Sequence, residues 1–151
     1  MAAVASLVAA CKAPPEAQPA ASRSEAASSI SPESATPRTS AAVSPRAYRQ
    51  DAAQHLYGLN AERIYHGKLP AQLYAIGVLE VDIDRTGGVK RLHWLRAPRH
   101  APEVVAEIER TVRAAAPFPV PARMGKVVYT DTWLWDKTGQ FQLDTLTEGQ
   151  L

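Results

Sequence analysis

The chain predicts a small α+β domain, in which a mostly antiparallel sheet of three to four strands packs with two helices. Three observations predict it. Gly77–Asp84 and Val89–Arg96 are two strand-like runs joined by Arg85-Thr86-Gly87-Gly88, a turn whose glycines accept positive φ. An amphipathic helical pattern follows and ends at Pro117-Phe118-Pro119-Val120-Pro121, where helix interior is impossible. A long run from Lys126 to Asp136 is dominated by β-branched and aromatic residues.

The elements follow in order. Ser44-Pro45 reads as an N-cap with proline at the first helical position. The helix it opens carries Tyr48, Ala52, Leu56 and Leu59 on one stripe and is expected to run to about Ile64, before Gly67 and Pro70 break it. Leu69, Leu73, Tyr74 and Ile76 lead into the first strand. Pro98 closes the second, and Ala101-Pro102-Glu103 starts the second helix with acidic residues where the helix dipole favours them. Val104, Val105, Ile108, Val112 and Ala115 form its apolar stripe, with Glu109 and Arg113 spaced to pair on the outside. Phe118 is the one large apolar residue in the proline-rich joint and is expected to plug the core. On the third strand Val127, Tyr129, Asp131, Trp133 and Trp135 share one face, and Val128, Thr130, Thr132 and Leu134 the other. Lys137-Thr138-Gly139 turns the chain into a short last strand at Phe141–Leu143, which could cover the third.

Composition divides the 151 residues sharply. Every Trp, Tyr and Phe lies between Tyr48 and Phe141, and Lys12 to Ser44 is mostly Ala, Ser and Pro. Residues 12–44 are therefore expected to be a disordered linker, since they have no large side chains whose burial could offset ordering entropy. Residues 45–151 are the expected domain. The formal net charge of +2 gives no reason to propose nucleic acid as a partner. Arg91, Arg96 and Arg99, with His93 and His100, form a local basic patch that reads first as a solvated face.

Residues 1–11 read as a short or truncated lipoprotein signal segment. Val8-Ala9-Ala10-Cys11 puts small residues before a lone cysteine, as a signal peptidase accepts, and is similar to the bacterial lipobox. On that reading Cys11 is lipidated and the linker is the spacer of a tethered domain. Lys12, in place of Asp, then implies a periplasmic protein lipid-anchored to the outer membrane. The other reading of Cys11 is a lone cysteine with no role.

The sequence points away from catalysis. Asp82, Asp84 and Gly87 have part of the spacing of a calcium loop, but the twelfth position is His93 rather than a bidentate Glu. His55, His66, His93 and His100 lack metal-ligand spacing. The expected domain has no Cys or Ser, and no glycine-rich elbow surrounds its Thr or Tyr hydroxyls. No cofactor, metal or small-molecule substrate is implied, and the expectation is a non-enzymatic binding module.

Taken together, Gly77, the strand Val78–Asp84, the turn Arg85–Gly88, the strand Val89–Arg96, the helix Glu103–Ala116, the joint Pro117–Pro121 and the strand Val127–Trp135 resemble the C-terminal domain of TonB-type energy transducers. The alanine- and proline-rich linker fits that resemblance. It implies a third strand beside the second or at a sheet edge. It also implies an envelope partner, a protein or an extended peptide such as that of an outer-membrane receptor, in energy-dependent outer-membrane transport. The expected partner-binding residues are Tyr129, Asp131 and Trp133 on the third strand, with Trp135 as a further aromatic anchor. The alternative is a structural lipoprotein of a cell-envelope complex with no transport role. An exposed apolar patch around Trp133 and Trp135 would favour that alternative, and a bare polar edge strand would favour peptide pairing.

Overall fold

A computed structural model of the chain describes residues 37–151. Cys11, the signal segment and residues 12–36 of the expected linker lie outside the described residues. The part of that linker that is described belongs to the fold. Strand β1 (Thr39–Ser40) pairs in parallel with β4 (Val120–Pro121), and the amide of Val120 donates to the Arg38 carbonyl at 2.7 Å. Ser40 is buried and its hydroxyl donates to Asp51 on the first helix. The expected boundary at residue 44 therefore moves back to about residue 38. Composition missed it because backbone pairing and one serine hydroxyl, rather than apolar side chains, hold this segment.

Helix α1 (Pro45–Leu59) starts as its sequence dictates. The Ser44 hydroxyl accepts the Ala47 amide, and Pro45 occupies a position with no intrahelical donor to lose. Its buried stripe is Tyr48, Ala52, Ala53 and Leu56. The helix stops at Leu59 instead of Ile64, because the Asn60 side-chain amide donates to the Leu56 carbonyl and Ala61–Arg63 tightens into a single 3-10 turn. Helix α2 (Pro102–Ala114) buries Val104, Ile108, Thr111 and Val112. Glu109, expected beside Arg113, instead accepts the Trp94 indole N–H at 2.8 Å.

The main sheet is antiparallel, with β2 (Ala75–Ile83), β3 (Val89–Arg96), β5 (Val127–Trp135) and β6 (Phe141–Leu143) in the order β3-β2-β5-β6. The third long strand, β5, thus lies beside the first, not the second, and is not an edge. It pairs with β2 from Ala75↔Trp135 to Ile83↔Val127. On its other side β6 pairs with Trp133–Trp135. The α+β class with two helices and a mostly antiparallel sheet is as the sequence predicts.

Odd-numbered residues of β2 and β5 form the core face. Leu79, Val81, Ile83, Tyr129 and Trp133 are all nearly inaccessible there. Phe118 closes this core from the joint and is fully buried. Its amide donates to Gly87 in the β2–β3 turn at 2.8 Å, and Gly87 has φ +86°. A Cβ on Gly87 would lie 2.1 Å from the Phe118 carbonyl oxygen, so only glycine lets turn and joint meet. Burying each large apolar side chain contributes about 1.5–3 kcal/mol. The even-numbered face is more open, with Ile76 and Val128 exposed and Val78, Thr130, Thr132 and Leu134 half-buried.

Candidate functional site

The expected reading face of the third strand is the core face. Tyr129, Asp131, Trp133 and Trp135 are 1%, 2%, 1% and 5% exposed, so their side chains contact the protein's own interior. Trp135 stacks on Phe141 with ring centroids 5.3 Å apart, and Trp133 tilts against the same ring at 4.9 Å. The Arg63 guanidinium lies over Trp135 and Phe141. The exposed apolar patch that would mark these tryptophans as an anchor is therefore not there. Both faces of this strand read as β-branched or apolar, so period alone did not say which one the helices would cover.

Asp131 has a structural task. Its Oδ2 accepts the Tyr129 hydroxyl at 2.8 Å. Its Oδ1 accepts the Thr132 amide at 2.9 Å, the Thr145 amide at 3.2 Å and Arg49 Nη2 at 3.4 Å. The carboxylate stands where the chain leaves β6 for a 3-10 turn at Asp144–Leu146, and it satisfies two amides that the short strand leaves behind. Tyr129 ionises well above the usual phenol range, because burial and the adjacent Asp131 charge both oppose a phenolate.

The open edge belongs to β3. It pairs with β2 on one side and with no strand on the other among the described residues. The uncovered stretch of β5 is shorter, because β6 and the turn at Thr145 occupy its far half. Both ends of β3 are fixed. At its start the Asp84 carboxylate accepts the Thr86 hydroxyl and the Thr86 and Gly88 amides, which hold it well below the usual carboxylate range. Beyond its end, His100 Nε2 donates to the Tyr74 carbonyl at 2.7 Å, and the Tyr74 hydroxyl donates to Glu103.

Backbone direction along β3 follows from the hairpin. The Asp84 amide donates to the Gly88 carbonyl at 3.0 Å. Register irregularities lie at Asp82/Ile83 and at Val78/Leu79. Counting out from that bond, Glu80–His93 is a hydrogen-bonded pair, whereas Val81–Leu92 and Leu79–Trp94 are not. Leu92 and Trp94 therefore turn their N–H and C=O groups to the open edge. Their side chains are half-buried against the core, and Trp94 reaches α2 through Glu109.

The opposite side of β3 is charged. Arg91 lies across from Asp82 and its Nε is 3.3 Å from that carboxylate. His93 lies across from Glu80, and Arg96 from Val78. Lys90 approaches Asp84 at 3.5 Å. Arg96 and Arg99 pair with no carboxylate among the described residues. Of the basic patch of the sequence, Arg91, His93 and Arg96 thus line an unpaired strand, while Arg99 and His100 lie beyond its end. The sequence signal was the density of Lys, Arg and His on one strand, a common guard of sheet edges.

One open cleft between the end of α1 and α2 is lined by Asn60, Arg63, Glu107 and Thr111. Its polar groups bind one another, since Arg63 donates to Asn60, Thr111 and Glu107, and Arg110 also pairs with Glu107. No group of three His, Cys, Asp or Glu that could hold a metal occurs among the described residues. Comparison with protein-family models gives no match, and comparisons with curated proteins and with solved structures give none either.

Proposed function

We propose that the chain is a non-enzymatic, TonB-like binding module of the bacterial envelope, which pairs a sheet edge with an extended peptide of a partner such as an outer-membrane receptor. The reading includes a periplasmic location and a lipid anchor at Cys11, and energy-dependent outer-membrane transport as the setting. What supports it is the bare polar edge of β3, eight residues long, with the outward amides and carbonyls of Leu92 and Trp94. An extended peptide laid along such an edge gains main-chain hydrogen bonds, and alternate side chains set its specificity. The edge is therefore β3 rather than the third long strand.

Amide exchange on the full chain tests the reading. Adding an extended partner peptide should slow exchange at Leu92 and Trp94 and leave β6 unchanged. If peptides of every charge leave those two amides as fast as before, edge pairing is refuted. Mass spectrometry of the mature N-terminus, after expression in a bacterial host with the leader intact, tests the anchor. A diacylglyceryl-modified Cys11 is expected, and an unmodified Cys11 with Met1 retained would overturn it.

A further inference from the structure

We infer that the β3 edge selects an extended peptide in which acidic and apolar residues alternate. This rests on the edge-pairing reading above and names the chemistry of its partner. The open face of the sheet carries charge in columns. Glu80 and Asp82 on β2 form an acidic column, and Arg91 and His93 on β3, continued by Arg96, form a basic one beside it. The Arg91 side chain remains 66% exposed although it touches Asp82, so its guanidinium has donors to spare. A strand added outside β3 places every second side chain next to this basic column. Acidic residues there continue the alternation of sign, and opposite charges directly across a strand pair stabilise it.

The intervening side chains of the added strand fall on the other face. There they meet the half-buried Leu92 and Trp94 beside α2. Apolar residues at those positions extend the core sideways and cover the exposed flanks of both. The period of two along a strand links the demands, so the preferred peptide reads acidic, apolar, acidic, apolar. A second copy of this chain is a poor occupant. Antiparallel pairing of β3 with itself sets Arg91, His93 and Arg96 against their own basic column, and like charges across a pair are destabilising.

The test uses the full chain and three fluorescent peptides of eight residues, the length of β3. One alternates Glu and Val, one Thr and Val, and one Lys and Val. Anisotropy should rank them acidic, neutral, basic, with roughly tenfold between the extremes from two cross-strand charge pairs. Affinity for the acidic peptide should fall as salt rises. The double variant Arg91→Glu with Arg96→Glu should reverse the ranking, with folding checked by its melting curve. A reversal cannot come from loss of structure, which would weaken all three peptides alike. Equal binding of the acidic and neutral peptides, with Leu92 and Trp94 still protected, would overturn the charge preference and leave edge pairing standing. Binding of no peptide would overturn both.

Discussion

At the residue scale, two positions carry more than their side-chain type suggests. Asp131 is a buried carboxylate whose four hydrogen bonds hold the end of β6 against β5. Asp131→Ala leaves the Tyr129 hydroxyl and two amides without their acceptor and takes the carboxylate partner from Arg49, whose side chain is 37% exposed. The expected loss is about 2–4 kcal/mol, read as a lower urea midpoint with unchanged slope. A loss under about 0.5 kcal/mol would show that the cluster does not hold the strand end. Gly87→Ala combines a left-handed backbone with a direct clash on Phe118. Gly139→Ala is the matched control, since Gly139 also has positive φ but a Cβ there meets nothing within 4 Å. The control should cost about 1–2 kcal/mol. Gly87→Ala should cost at least about 1 kcal/mol more, because backbone must move. Equal melting curves for the two variants would mean that turn and joint are not in contact.

At the element scale, the strands differ in how completely they are paired. β5 sits between β2 and β6, while β3 has one bare side. Native-state exchange should therefore alternate along β3 in the free protein, with the His93 amide protected by β2 and those of Leu92 and Trp94 fast. Uniform protection along β3 would mean that its edge is already covered. The β1–β4 pair makes a second prediction. A chain starting at residue 44, which keeps the Ser44 cap of α1, loses the Ser40–Asp51 hydrogen bond and the pairing to Val120–Pro121 that a chain starting at residue 37 keeps. The shorter chain should be less stable by about 1–2 kcal/mol, a melting-point difference of several degrees. Coincident melts would return the domain boundary to residue 44.

At the scale of the whole molecule, the hydrogen-bonded ionisable groups define a pH window for stability. Asp84, Glu103 and Asp136 are all held below the usual carboxylate range, by hydroxyl donors from Thr86, Tyr74 and Thr138 first. Their folded-state values lie below their unfolded ones. Their contribution is thus complete above about pH 4–5 and fades as pH falls through the lowered values. Glu103 is exposed and Asp84 partly so, which keeps their share of the acid limb shallow, whereas Asp136 is 3% exposed and carries the larger share. The alkaline limb is steeper. Tyr48 and Tyr129 are raised, chiefly by burial. Their stabilising effect is complete below the ordinary phenol value near 10 and is lost as pH rises beyond it. Ultraviolet titration should show both ionising together with unfolding. A phenolate signal from either in the still-folded protein would contradict its burial.

Much of this architecture was legible in the sequence, for identifiable reasons. Glycines at the β2–β3 turn, proline at the start of α1 and the prolines after α2 act through local backbone sterics, which neighbouring residues alone determine. The same holds for the strand at Val89–Arg96 and the burial of Phe118, the only large apolar side chain in its joint. Sheet order was not legible, because it depends on which strands meet across long loops. That order put β5 beside β2 with β6 on its flank, sent Tyr129, Asp131, Trp133 and Trp135 inward and left β3 bare. Nor could composition find β1, whose place rests on main-chain bonds to a segment some eighty residues away. The sequence determined the two helices, the long strands and their turns by local sterics and period. Only the tertiary structure decided which face is covered and which edge stays open, because burial and pairing are properties of packed neighbours rather than of any one segment.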